Sequence, residues 1–208
     1  MALDALHKDG LVHTDIKLDN ILVNYGTDGA RFSDIQLGDC GGVVHETSTH
    51  AREGDLIGAD LFRSPEAALQ LPWDRATDMW SFGNAITSLV FGGGFHLFNP
   101  RLDGVTRDDF QTYYLTVLKR MYQFFGPFPT SYERFESEYA NAVMFHINTM
   151  GLEPKPFRRI GPREVPSADK AFILKIMKLD PADRPTPSEL LNDEWFEEYS
   201  LDTRTPLL

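Results

Sequence analysis

Between two apolar stretches near the start of the chain, eight residues carry most of the reactive chemistry: His13-Thr14-Asp15-Ile16-Lys17-Leu18-Asp19-Asn20. Leu11 and Val12 precede them, and Ile21, Leu22 and Val23 follow. Apolar flanks of this kind anchor a short polar loop against a core. Such a loop can present Asp15 as a base, Lys17 as a cation for phosphate and Asn20 as an amide that ligates a metal. His13 stands just ahead of all three. A second acidic turn, Gly38-Asp39-Cys40-Gly41, offers a further carboxylate.

Several elements must position these groups. Residues 1 to 9 read as the end of a helix, with Leu3, Leu6 and His7 on one face and Gly10 as its stop. Ile21-Leu22-Val23-Asn24 is a candidate buried strand, residues 25 to 30 a turn, and Arg31 to Leu37 the returning strand. A hairpin of that form returns Asp39 to the neighbourhood of the polar loop. Residues 42 to 62 read as a mobile, polar surface loop. His45, Glu46 and His50 lack the spacing of metal ligands, and Thr47, Ser48 and Thr49 are available hydroxyls. Asp74 suits the N-cap of a helix that is apolar nearly all round, from Met79 to Phe91, and such a helix belongs at the centre of a lobe. Asp78 on it needs polar partners if it is buried. Gly92-Gly93-Gly94 follows that helix instead of preceding one, so it reads as a stop and not as a phosphate loop. Helices are expected over 106 to 126, over 130 to 148, and from Ala168 to Leu179 with Ser167 as cap. Lys155, Arg158, Arg159 and Arg163 form a basic patch among prolines. Thr186-Pro187-Ser188-Glu189 is a capping box with proline at the first helical position.

Composition narrows the function classes. The chain has 208 residues, 42% of them hydrophobic, enough for one sizeable core. A formal net charge of -11 argues against nucleic acid and anionic membranes as partners and towards basic ones. The single cysteine, Cys40, rules out an internal disulfide and fits a reducing, intracellular compartment; as a side chain it reads as a small buried apolar residue. No apolar run approaches the ~20 residues of a membrane span, and the N-terminus lacks the pattern of a signal peptide.

The motifs taken together resemble the eukaryotic protein kinase superfamily. His13, Asp15, Lys17 and Asn20 match its H-R-D-x-K-x-x-N loop, with Thr14 where arginine is usual. Asp39-Cys40-Gly41 is similar to D-F-G, Ser64-Pro65-Glu66 to A-P-E, Asp78-Met79-Trp80-Ser81-Phe82-Gly83 to D-x-W-S-x-G, and Asp180 to Thr186 to D-P-x-x-R-x-T. Trp195-Phe196 resembles the pair that closes many such domains. Thr14 and Arg63 lean towards the CMGC group and its SR-protein kinase-like branch.

The resemblance implies a mainly α fold: a protein-kinase-like C-terminal lobe with a small β-hairpin over residues 1 to 197, the N-terminal lobe absent, and a tail over 198 to 208. Starting in mid-helix before its catalytic loop, the chain reads as a fragment whose N-terminal lobe belongs to the full-length protein. The resemblance also implies a serine/threonine kinase that uses ATP and Mg²⁺ on a protein substrate, with Asp15 and Lys17 catalytic. Lys17, Asn20, Leu22 and Asp39 would bind the nucleotide complex, Asn20 and Asp39 through the metal. His13, Glu66, Asp78 and Arg184 would support the site, the last by pairing with Glu66. Thr14 cannot grip an activation-loop phosphate as arginine does, and Ala59 lacks the threonine hydroxyl that usually bridges the catalytic aspartate and lysine. These departures, Cys40 and the missing lobe leave open a pseudokinase or scaffold that binds proteins without catalysis.

Overall fold

The structure is a computed structural model, described here over residues 1–26 and 31–196. In chain order it runs α1 (Ala2–Lys8), β1 (Leu11–Val12), β2 (Ile21–Tyr25), β3 (Phe32–Leu37), β4 (Val44–His45), α2 (Thr49–Glu53) and α3 (Pro65–Ala68). There follow α4 (Ala76–Phe91), α5 (Phe110–Phe125), α6 (Glu138–Thr149), α7 (Ser167–Ile176) and α8 (Pro187–Leu190). The fold is mainly α, with two small antiparallel sheets, β1 with β4 and β2 with β3. The expected tail over 198 to 208, and most of the turn between β2 and β3, lie outside the described residues.

Helix α4 is the axis of the body, yet it is not apolar all round. Its buried residues include Thr77, Asp78, Ser81, Asn84, Thr87 and Ser88, while Leu89 is exposed. These polar side chains find partners in the body: Thr77 Oγ1 lies 2.7 Å from Ser64 Oγ, Ser88 Oγ lies 3.3 Å from His96 Nδ1, and the others reach backbone. Ser81 Oγ donates to Phe62 O at 2.8 Å, Asn84 Nδ2 donates to Leu61 O, and Thr87 Oγ1 donates to Gly83 O at 2.8 Å. Small residues also let α7 come close: a Cβ at Gly83 would lie 2.7 Å from Met177 Sδ. Around Trp80 the aromatic rings of Phe98, Phe125 and Phe157 stack edge and face. A fully buried side chain such as Phe98 or Ile173 contributes about 1.5–3 kcal/mol there.

Several boundaries differ from the sequence reading. Asp74 acts one residue further out than expected, accepting from Ala76 N at 2.8 Å, and Arg75 occupies the N-cap position. Helix α5 starts at Phe110 because Asp109 Oδ1 accepts from Thr112 N at 3.1 Å. The stretch 130 to 148 is broken into a 3₁₀ segment, Thr130–Phe135, and α6, with Ser137 capping the second. Helix α7 includes Ser167 instead of being capped by it, and ends at Ile176, not Leu179. The carbonyl of Leu179 is drawn off the helix axis by Tyr132 Oη at 2.6 Å and Arg184 Nη2 at 3.2 Å. The capping box of α8 is formed on both sides.

Two larger differences bear on the site. Strand β2 is not buried: Leu22, Val23 and Tyr25 are all exposed, as is Ile35 on β3. A two-stranded ribbon covers neither of its own faces, and no described residue covers this one. The segment 42 to 62 is not a wholly irregular surface loop, because it contains β4 and α2. Val44 and His45 pair with Val12 and Leu11, and Ser48 Oγ caps α2 by accepting from Ala51 N at 3.2 Å. Ala51 then packs against Val12, Ala67 and Trp73. Among the described residues no group of histidines, cysteines or carboxylates could hold a metal in the manner considered for His45, Glu46 and His50.

Candidate active site

The polar loop is held from below by Asp78. Its carboxylate is 1% exposed and accepts from His13 N at 2.8 Å and Thr14 N at 3.0 Å. His7 Nε2 lies 3.0 Å from the same carboxylate and is its donor, since an ionised carboxylate only accepts. Thr14 sits at φ 70°, a region costly for a β-branched residue. Two charge-assisted bonds on either side of its peptide hold it there, and its hydroxyl donates to Gly42 O at 3.0 Å. The result is a sharp turn that points Asp15 away from the core.

His13 is fully buried and locks the loop to the end of the hairpin. Its Nδ1 faces Asp15 N at 3.4 Å, and its Nε2 lies 3.0 Å from Gly38 O. That pairing fixes the tautomer: Nδ1 accepts and Nε2–H donates. Gly38 N in turn donates to Asn20 O at 2.8 Å. The loop and the Gly38–Gly41 turn therefore form one unit, and the turn's Asp39 is carried back to the loop as the hairpin reading required.

Around Asp15 three donors converge. Lys17 Nζ donates to Oδ2 at 2.6 Å, Asn20 Nδ2 to Oδ2 at 3.1 Å, and Ala59 N to Oδ1 at 3.1 Å. Asn20 Nδ2 also donates to Asp15 O at 2.8 Å. The close approach of residues 58 and 59 needs glycine: Gly58 has φ 59°, and a Cβ there would lie 2.5 Å from Thr14 O. Partial burial alone would raise the Asp15 pKa, but the Lys17 bond and charge, then Asn20 and Ala59, outweigh it and hold the carboxyl below its ordinary value. The same bond raises the Lys17 pKa, with burial opposing and the charges of Asp39 and Asp19 assisting. At neutral pH the pair is a carboxylate and an ammonium.

Asp39 is exposed, has φ 57°, and makes no hydrogen bond or ion pair with another side chain among the described residues. Asn20 spends its amide N–H groups on Asp15, which leaves Oδ1 without a protein donor among the described residues. Leu22 is 55% exposed beside the turn, with its Cδ1 3.2 Å from where a Cβ on Gly38 would stand. Cys40 is exposed as well, not the buried apolar residue expected, because the 3₁₀ turn Cys40–Gly42 lifts it off the body.

Glu66 and Arg184, 118 positions apart, form a bidentate pair with both N···O distances 2.7 Å. Both are buried, and Arg184 donates further to Lys178 O, Ala76 O and Leu179 O. This pair lies beneath the loop segment and fastens α3 to the chain after α7. Two participants, Tyr132 and His7, were not assigned to the site from sequence. Tyr132, whose Oη donates to Leu179 O, completes the Arg184 cage; nothing in its local sequence marks it. His7 had a usable mark, an imidazole on the apolar face of α1.

Comparison with known proteins bears on the family and the fold. A family model described as the protein kinase domain matches residues 1–196. Cyclin-dependent kinase-like 5 of Mus musculus is 26% identical over 208 residues, covering 99% of this chain and 20% of that protein. Serine/threonine-protein kinase PAK 5 of Rattus norvegicus is 30% identical over 106 residues, 51% of this chain and 14% of the relative. The chain thus spans a fifth or less of the length of these curated relatives. A crystal structure of a kinase domain superposes with a TM-score of 0.65 at 22% identity, covering 93% of this chain and 62% of that one. The motif order, the fold and the family match lead to one conclusion: this chain belongs to the protein kinase domain family.

Proposed function

We propose that this lobe supplies the base-and-metal half of a protein serine/threonine kinase that transfers the γ-phosphoryl group of ATP to a protein hydroxyl. The observation that carries the reading is the Asp15 carboxylate, ionised and aimed by Lys17, Asn20 and Ala59 N–H. Asp15 orients the substrate hydroxyl and accepts its proton as the new P–O bond forms and the bond to the ADP oxygen breaks. A carboxylate held below its ordinary pKa is a weak base, so its main contribution is orientation, with the proton moving late. Lys17, already bridging to Asp15, offsets charge on the transferring group.

The donor set fits Mg²⁺. Asn20 Oδ1 and the Asp39 carboxylate are oxygen ligands of the kind that hard cation takes, and neither is consumed by another protein donor among the described residues. When bound, Mg²⁺ neutralises phosphate charge. Leu22, exposed beside the Gly38 turn, offers an apolar floor for adenine. The exposed apolar side chains of β2 and β3 support a further element, an N-terminal lobe in the full-length protein, that covers them and completes the nucleotide site. The surplus of acid favours a basic protein substrate, and the free thiol of Cys40 fits an intracellular setting. The CMGC lean rests on Thr14 and Arg63, and the Arg63 guanidinium donates to Ile57 O and Gly58 O and shapes the segment facing Asp15.

A non-catalytic reading, a pseudokinase or scaffold, draws on one specific observation: Ala59 offers Asp15 only a backbone donor. Labelled phosphate transfer from ATP to basic serine and threonine peptides separates the two. The full-length protein is expected to transfer, and Asp15→Asn to lower the rate by about 10²–10⁴-fold. Mg·ATP binding with equal, background transfer in both proteins would overturn the kinase reading in favour of the scaffold.

A further inference from the structure

Asp15 is aimed partly by Ala59 N–H, and the residue after Ala59 is anchored in an unusual way. The Asp60 carboxylate accepts on both oxygens. Oδ1 takes Tyr114 Oη at 2.7 Å and Arg63 Nη2 at 3.5 Å, and Oδ2 takes Arg107 Nη2 at 2.8 Å. Tyr114 lies on α5, and Arg107 lies just ahead of it. Arg63 reaches back along the same segment to Ile57 O and Gly58 O, with its guanidinium 5.8 Å from the centre of the Tyr114 ring. Segment 57 to 60 is therefore pinned at one end against the Asp15 loop by Gly58 and at the other against α5 by a single carboxylate. Between the two pins, the Ala59 peptide has little freedom to turn its N–H elsewhere.

We propose that Asp60, Tyr114 and Arg107 are positioning residues that aim the Ala59 N–H at Asp15, so that the region around α5 sets the geometry of the base. The inference rests on the reading of Asp15 as the base. The work that a side-chain hydroxyl at position 59 would do is done here by a main-chain donor, and a main-chain donor is only as well aimed as its neighbours are held. Arg107 is largely exposed and Tyr114 half-buried. The clamp can therefore be weakened from the protein surface without opening the core.

Backbone NMR of the 208-residue chain tests this directly, through the chemical shift of the Ala59 amide and its hydrogen exchange at neutral pH. The groups that face Asp15 are Lys17 and Asn20 from its own loop and Ala59 N–H from the opposite segment. Tyr114→Phe changes no charge and keeps the ring, yet removes one bond to Asp60. It is expected to shift the Ala59 amide signal and to speed its exchange. Asp60→Asn weakens the bonds to Tyr114 and Arg107 together and is expected to do the same to a greater degree. Asp109→Ala weakens the start of α5 without touching Asp60 and is expected to leave both readings unchanged. An unchanged Ala59 amide in folded Tyr114→Phe would overturn the proposal, as would an equal response in Asp109→Ala. In the full-length kinase assay the same Tyr114→Phe change is expected to lower kcat about five- to tenfold, the rate equivalent of one hydrogen bond, with KM for ATP unchanged. An inactive protein whose Ala59 amide still responds to Tyr114→Phe supports the clamp and counts against the kinase reading alone.

Discussion

Asp78→Asn is the most informative single change, because one buried carboxylate holds two consecutive peptides of the active-site loop. In the native chain its oxygens take His13 N at 2.8 Å, Thr14 N at 3.0 Å and His7 Nε2 at 3.0 Å. An asparagine keeps one acceptor oxygen and turns an NH₂ group towards the remaining donors. One charge-assisted bond is lost and one buried N–H is left without a partner, together a cost of about 2–4 kcal/mol. Part of that returns. Thr14 is held at φ 70°, a conformation that costs on the order of 1–2 kcal/mol for a residue with a Cβ, and a loosened clamp lets it relax. The expected net loss is about 2–3 kcal/mol, readable by urea unfolding followed through tryptophan fluorescence. Thr14→Gly sharpens the test. In the native background it removes the φ cost and forfeits the bond to Gly42 O, so its net effect is within about 1 kcal/mol. In the Asp78→Asn background Thr14 is already relaxed, and glycine gains less. The two changes therefore couple, with the pair losing more stability than the sum of the singles. A loss below about 0.5 kcal/mol for Asp78→Asn, or strict additivity with Thr14→Gly, would refute the idea that Asp78 holds Thr14 in its strained turn.

Arg184→Met leaves Glu66 buried without its counter-charge and is expected to cost about 3–5 kcal/mol. The Glu66→Gln/Arg184→Met double variant should recover part of this in a denaturation series; no recovery would argue against the pair as the source. Asp15 carries the pH prediction. Its folded pKa lies below the ordinary 3.8, so its stabilising contribution is present above that value and is lost as pH falls through the folded pKa. The stability gap between the native chain and Asp15→Asn should therefore narrow as pH drops below about 4. A gap that stays constant as the pH falls further below about 4, followed by urea unfolding, would show that the Lys17, Asn20 and Ala59 contacts do not favour the ionised form.

What could be read from the sequence divides along a physical line. Residues that act through local geometry were legible. His13 to Asn20, the hairpin returning to Asp39, and the capping box at Thr186 each depend on neighbours a few positions away. Asp78 was legible for a different reason: a carboxylate on a helix that must be buried needs donors, and the loop at His13 and Thr14 supplies them. Tyr132 and Tyr114 were not legible as partners, because their contacts to Leu179 O and Asp60 join segments 47 and 54 positions apart, and nothing in a tyrosine's local pattern says which distant acceptor its hydroxyl will find. The segment 42 to 62 was misread for the opposite reason. Its polarity resembles a solvated loop, but one small residue, Ala51, is enough to seat a short helix against Val12 and Trp73. The exposure of β2 carries the most meaning. Alternating or continuous apolar side chains in a strand promise a covered face, and here Leu22, Val23 and Ile35 have none among the described residues. The disagreement between hydrophobicity and burial marks the surface on which the nucleotide and its covering lobe are proposed to sit.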